Sequence, residues 1–161
     1  MAAIELSTAG IRMGYAVETT AGTKPTAFTR IHGVKSIPSL SSAPDNLETS
    51  TLDIEAGGFR TYIQGLRDSG GALEIRFNES NELHAKWKAL HDAYEEGKQA
   101  NKRTWIVFWV PGMQESFFFT ADVADLGFGG AEVNAVLENS GYVTPTGEIG
   151  WGDAIEPTDA A

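Results

Sequence analysis

FRTYIQGLRDSGGALEIRF, Phe59 to Phe77, has the outline of a β-hairpin. Its outer thirds alternate in residue type, and DSGG, Asp68 to Gly71, offers the residues of a tight turn. On the first arm Phe59, Thr61 and Ile63 face one side, while Arg60, Tyr62, Gln64 and Leu66 face the other. A strand with one wet face carries few large apolar groups there. Tyr62 and Leu66 nevertheless stand on the face that should meet water, so this hairpin predicts a cover on both sides.

Before it lies SSAPDNLETSTLDIEAGG (41–58), a long segment poor in core residues. Connections longer than about 12–15 residues are uncommon in compact domains and tend to be functional or disordered. Leu47, Thr49 and Thr51 alternate with Glu48 and Ser50, and Leu52 and Ile54 add apolar area, which predicts a projecting loop or hairpin. Further upstream, Ile11, Met13, Tyr15 and Val17 alternate with small or charged residues as one strand. A second strand is expected over Phe28–Val34 and a short edge strand over Lys35–Leu40, where Pro38 favours an edge or a bulge.

Downstream, one helix is expected over 79–97, capped by Asn78 or Ser80 and ended by Gly97. Leu83, Trp87, Leu90 and Tyr94 give it a single apolar stripe, so it lies across a sheet instead of forming a bundle. TWIVFWV (104–110) is apolar on both faces and predicts a fully buried strand. Glu115 to Leu126 alternates as another, GFGGA (127–131) makes a turn, and Ala131 to Tyr142 is expected as a final long strand. The fold class is mainly β: a β-sandwich or curved barrel of about seven or eight strands with one flanking helix. The expected organisation is one domain over 1–145 and an acidic, Gly- and Pro-containing tail over 146–161, mobile in its last ten residues.

Composition narrows the function. At 161 residues without cysteine, the chain can bury a real core but has no disulfide, thiol nucleophile or Cys-ligated zinc. It starts without the basic stretch and apolar core of a secretory signal, and its longest apolar run is too short to span a bilayer. The net charge of −10 is unevenly spread: all 12 Lys and Arg lie at or before Arg103, and residues 104–161 carry nine carboxylates. Nucleic-acid binding needs cations to displace phosphate counterions, and the last third has none. That surplus reads either as a solubility device or as a surface that does not hold polyanions.

No catalytic signature stands out. His84 and His91 share the helix seven residues apart, about 10 Å along its axis, too far to bind one ion easily. His91 and Glu95 alone make a poor metal site. There is no G-x-S-x-G, H-E-x-x-H or P-loop, and GFGG lacks the spacing of a dinucleotide loop. Neither enzyme activity, metal nor cofactor is expected. Trp87, Trp105 and Trp109 read as core, whereas Trp151 stands in the loose acidic tail, free to stack on a ligand or a neighbouring chain.

NLETSTL, followed by Phe59, Arg60, Tyr62, Ile63, Gly65, Leu66, Asp68 and Gly70 in F-R-x-Y-I-x-G-L-x-D-x-G, resembles the tail tube (major tail) proteins of long-tailed bacteriophages. The Thr19–Phe28 segment, the single helix after the motif and the closing block of aromatic strands agree with it. The resemblance implies a β-sandwich or barrel whose copies form rings, usually of six, stacked into a hollow tube for DNA. It implies that segment 41–58 contacts neighbouring subunits and the adjacent ring. The expected contact residues are Leu47, Glu48, Thr51, Leu52, Asp53, Arg60, Tyr62, Leu66, Arg67 and Asp68, with a sister copy covering Tyr62 and Leu66. Asp122, Glu132 and Glu138 are expected to line an acidic lumen. Implied partners are the chain itself and the tape measure, tail terminator and tail-tip proteins, in a virion tail assembled in the host bacterial cytoplasm. Two other readings stay open: a β-sandwich module binding carbohydrate through Trp151 and Tyr142, and a hydrolase using acidic residues.

Overall fold

The computed structural model describes residues 6–40, 43–53, 55–68 and 71–159. The chain divides into two compact units, Ser39–Gly71 and the remainder.

The larger unit is one antiparallel sheet, so of sandwich and curved barrel the second is what forms. Its strands are β1 (Arg12–Val17), β2 (Thr29–Ile31), β3 (Val34–Ser36), β6 (Leu73–Asn78), β7 (Thr104–Trp109), β8 (Glu115–Val123) and β9 (Glu138–Asp153). They run in the order β2-β1-β7-β8-β9-β6-β3. The two edge strands, β2 and β3, are consecutive in the chain and joined only by His32 and Gly33. Such a link spans roughly 10 Å, so the sheet must curl until its edges are neighbours. Gly33, at φ 85°, supplies the turn that β-branched residues resist.

Helix α1 (Asn81–Gln99) closes one face of this sheet. Ser80 caps it, its side chain accepting from the Leu83 N–H at 3.1 Å. The predicted stripe of Leu83, Trp87, Leu90 and Tyr94 is buried. Trp87 fixes the helix: its ring meets Phe77 edge-on at 5.7 Å, and its indole N–H donates to the Ala124 carbonyl at 2.9 Å. A Cβ on Gly141 would overlap that ring, which is why β9 has glycine there.

Gly97 does not end the helix as expected. It lies inside α1 because Val17 packs where its side chain would be. The stop is Asn101, at φ 62°, with Asn101 N–H bonded to the Lys98 carbonyl and Lys102 N–H to the Gly97 carbonyl. This is a Schellman ending with asparagine in the left-handed position.

The second face of β1, β7 and β8 is also covered. Phe28, Trp105, Val107 and Phe118 form a buried cluster, with Ala16 and Ile155 packed against it. Glu18 organises this cover, its carboxylate accepting from Arg103 N–H, the Arg103 guanidinium, Trp105 Nε1 and Gly22 N–H. Burial pushes the Glu18 carboxyl up, but these donors outweigh it and hold it at about 2, below its ordinary 4.5.

Three further expectations change. The hairpin across Phe59–Phe77 does not form: β6 pairs with β9 and β3, and its former partner strand belongs to the other unit. Leu73, Ile75 and Phe77 are buried in alternation, which ties β6 to the helix-covered sheet. Residues 131–137 are not strand; β9 starts at Glu138. The Gly129–Gly130 pair and Asn134, at φ 64°, break the extended run. The boundary expected after 145 falls inside β9, which continues to Asp153 beside β8. Beyond it, Thr158 N–H donates to the Phe28 carbonyl and its own carbonyl accepts from Arg30 N–H.

Candidate assembly interface

The smaller unit is a two-stranded antiparallel ribbon of β4 (Ala43–Glu48) and β5 (Tyr62–Asp68). Its register pairs Leu47 with Ile63 and Glu48 with Tyr62. Gly65 makes the close approach possible, since a Cβ there would press on the Leu47 side chain at 3.2 Å. Leu47 and Ile63 therefore share one face, and Tyr62 and Leu66 alternate onto the other.

The loop between the strands is organised by polar contacts. Thr49 N–H donates to the Thr61 carbonyl at 2.7 Å, their hydroxyls meet at 2.8 Å, and Thr61 N–H donates to Ser50 Oγ. Arg60 Nε lies 3.8 Å from Glu48. Apolar side chains in the ribbon are left in solvent on both faces and in the loop: Leu47 is 51% exposed, Leu66 86%, Phe59 90% and Leu52 104%. Thr51 and Asp53 are exposed in the same loop. Arg67 and Asp68 sit in β5 opposite Pro44 and Ala43, while Ile54 and part of the expected DSGG turn lie outside the described residues. Sequence reasoning missed Phe59 and Ile63 as members of this surface. Both lie within the quoted motif, but on the face assigned to the core.

The three acidic candidates fall in different settings. Asp122, in β8, accepts a hydrogen bond from the Tyr94 hydroxyl, and burial followed by this carboxylate raises the Tyr94 pKa. Glu132 is exposed in the irregular 124–137 segment, not on a strand with Glu138. Glu138 begins β9 and is bonded by Lys35 and by Arg76 at 3.1 Å, so its charge is largely compensated.

Among the described residues no three His, Asp or Glu side chains could hold a metal ion. The histidines pair separately: His32 with Asp159, His84 with Glu79 at 2.6 Å, and His91 with Asp125 at 3.4 Å. Trp151 is not in a loose tail but in β9, its ring edge-on to Phe117 at 5.4 Å. Tyr142 is half-exposed opposite Glu74. A cleft of about 460 Å³ lies between Arg76 and residues 129–140, but its one cationic side chain is already tied to Glu138. No helix among the described residues is long and apolar enough to cross a membrane.

Comparison with known proteins agrees with the sequence resemblance. The family described as phage tail tube, lambda-like, matches residues 6–152. No curated protein matches. Among solved structures, a chain of the anti-feeding prophage baseplate, seen by six-fold symmetrised cryo-electron microscopy, aligns with a TM-score of 0.58. That alignment covers 95% of this chain and 97% of the other at 9% identity, a likeness of fold alone. Because the family match runs through sheet, helix and ribbon together, the chain belongs to the lambda-like phage tail tube family and is a structural protein of the tail.

Proposed function

We propose that this chain assembles with copies of itself into rings of six, and that the rings stack into a hollow tube through which phage DNA passes. The observation that carries this reading is the ribbon. A lone two-stranded hairpin is marginal in water, and this one exposes apolar side chains on both faces and in its loop. Copies of the chain give those faces a place to be buried. Head-to-tail contacts that close generate a ring, and a second, separate contact stacks rings. Leu47, Leu52, Tyr62 and Leu66 are the anchors, with Glu48, Thr51, Asp53, Arg60, Arg67 and Asp68 as their polar surround.

The role is structural, without turnover or cofactor. Glu132 supplies the repulsion that keeps DNA sliding, with Glu138 contributing less because Lys35 and Arg76 hold it, while Asp122 lines a cleft at the end of α1 and stands apart from them. The tube meets the tape measure, terminator and tail-tip proteins in the virion tail after assembly in the host cytoplasm. Negative-stain microscopy of the concentrated chain tests the reading. Rings or hollow rods are expected, and Leu47→Asp or Leu52→Asp should leave folded subunits that no longer stack. A chain that stays monomeric at every concentration sinks it.

A further inference from the structure

We infer that the loop of the ribbon docks on a second copy at the basic end of helix α1, placing Leu52 in a small cleft there and Asp53 and Glu55 against Lys98 and Lys102. The inference rests on the tube reading and names the surface that receives the ribbon.

The two surfaces match in charge. Residues 39–71 carry five carboxylates and two arginines. Glu48 is already close to Arg60. Asp53 and Glu55, on either side of Ile54 and next to the fully exposed Leu52, are exposed and have no ion-pair partner among the described residues. The cations of the larger unit divide in a complementary way. Arg12, Lys35, Arg76 and Arg103 are each bonded to a carboxylate of their own chain. Lys24, Arg30, Lys86, Lys88, Lys98 and Lys102 have no such ion pair among the described residues, and of these Lys98 and Lys102 border one cleft; the Lys98 ammonium lies 5.9 Å from the centre of the Tyr94 ring. The Schellman ending folds Lys102 back toward the last turn, where its N–H meets the Gly97 carbonyl at 2.8 Å.

Between these two lysines lies a cleft of about 140 Å³ whose walls are Tyr94 and Ala121 together with the polar Asn101, Arg103, Thr104 and Thr146. Small-molecule pockets run to roughly 300–1,000 Å³, so this one suits a single side chain. An apolar anchor in a pocket with charges at its rim is a common arrangement for a protein–protein contact. Two effects oppose an acidic visitor. The last carbonyls of α1 carry about half a negative charge, and Asp122 also lines the cleft. With Asp122 counted in full beside the helix end, the opposing charge is about one and a half, and two ammonium groups still exceed it.

Charge exchange in the full-length chain tests this. Lys98→Glu with Lys102→Glu should raise the concentration for half-assembly at least about tenfold, since like charges face each other across the contact. Asp53→Lys with Glu55→Lys should do the same. All four exchanges in one chain should restore assembly to near that of the wild type. Unchanged urea midpoints would show that these substitutions leave the subunit folded. Normal assembly of the helix-end variant, or a fourfold variant no better than either pair, overturns the docking site while leaving the tube reading intact. A wild-type chain that never assembles overturns the tube reading, and this inference with it.

Discussion

In β6, Leu73, Ile75 and Phe77 are buried while Glu74, Arg76 and Asn78 are exposed. In β5, Tyr62, Ile63 and Leu66 are all exposed, whichever face they take. The two strands are neighbours in sequence and similar in composition, so propensity does not separate them. What differs is company. Strand β6 has β9 beside it and Trp87 above it, whereas β5 has only β4 and a leucine lying over a glycine. Burial belongs to the partner as much as to the residue, and among the described residues the ribbon's own sheet gives Tyr62, Ile63 and Leu66 no cover.

The largest expected effect tests the buried side of this contrast. Trp87→Ala should cost about 3–5 kcal/mol, the range for removing a large aromatic from a core. Urea unfolding measures it, and an unchanged midpoint would mean that α1 is not what covers β6.

Next comes Glu18→Gln, which leaves the Arg103 and Trp105 donors without their anion. The folded carboxyl is held at about 2 against an ordinary 4.5, which converts to about 3 kcal/mol at neutral pH. Because the folded value is the lower one, this stabilisation is complete above pH 4.5 and is lost as pH falls toward 2. The gap between wild type and variant should therefore be wide at neutral pH and narrow in strong acid. A gap independent of pH would show that the substitution acts through packing.

The smallest effect on the subunit sharpens the other side. Tyr62→Ser with Leu66→Ser should change subunit stability by no more than about 0.5 kcal/mol, as for ordinary surface positions. Assembly, followed by sedimentation, should nevertheless fall steeply. A large loss of subunit stability would show that these side chains already have cover in the single chain.

Much of the fold was legible in the sequence. The stripe of Leu83, Trp87, Leu90 and Tyr94 and the two-faced run at Thr104–Trp109 sit where their patterns placed them, because helix period and continuous apolarity are strong local signals. Pairing was less legible. Alternation in 62–68 and 73–78 is the same whether the two strands pair with each other or not, and period two specifies a face without specifying a neighbour. Val133, Ala135 and Leu137 also alternate, yet glycines and a left-handed asparagine keep that segment irregular and leave Val133 and Val136 exposed. The tail was hidden by composition. Gly150 and Gly152 read as breakers, but they alternate with Ile149 and Trp151, which stand opposite Phe119 and Phe117 in β9. Of the proposed interface, the sequence pattern marks Tyr62 and Leu66 as apolar groups on a wet face, whereas Lys98 and Lys102 come together at one cleft only through the Schellman turn.

Strand β9 carries a consequence for biosynthesis. It joins β6 along residues 138–143 and β8 along 143–153, so the central strands of the sheet are not connected until the ribosome has passed Asp153. The ribbon over 43–68 emerges long before that, and nascent chains leave the ribosome at roughly 5–20 residues per second. For several seconds each new molecule displays the apolar side chains of its ribbon without the finished domain. The charge arrives late as well: residues 1–103 carry 12 Lys and Arg against 13 Asp and Glu, so the mutual repulsion of finished chains at −10 is almost absent during that delay.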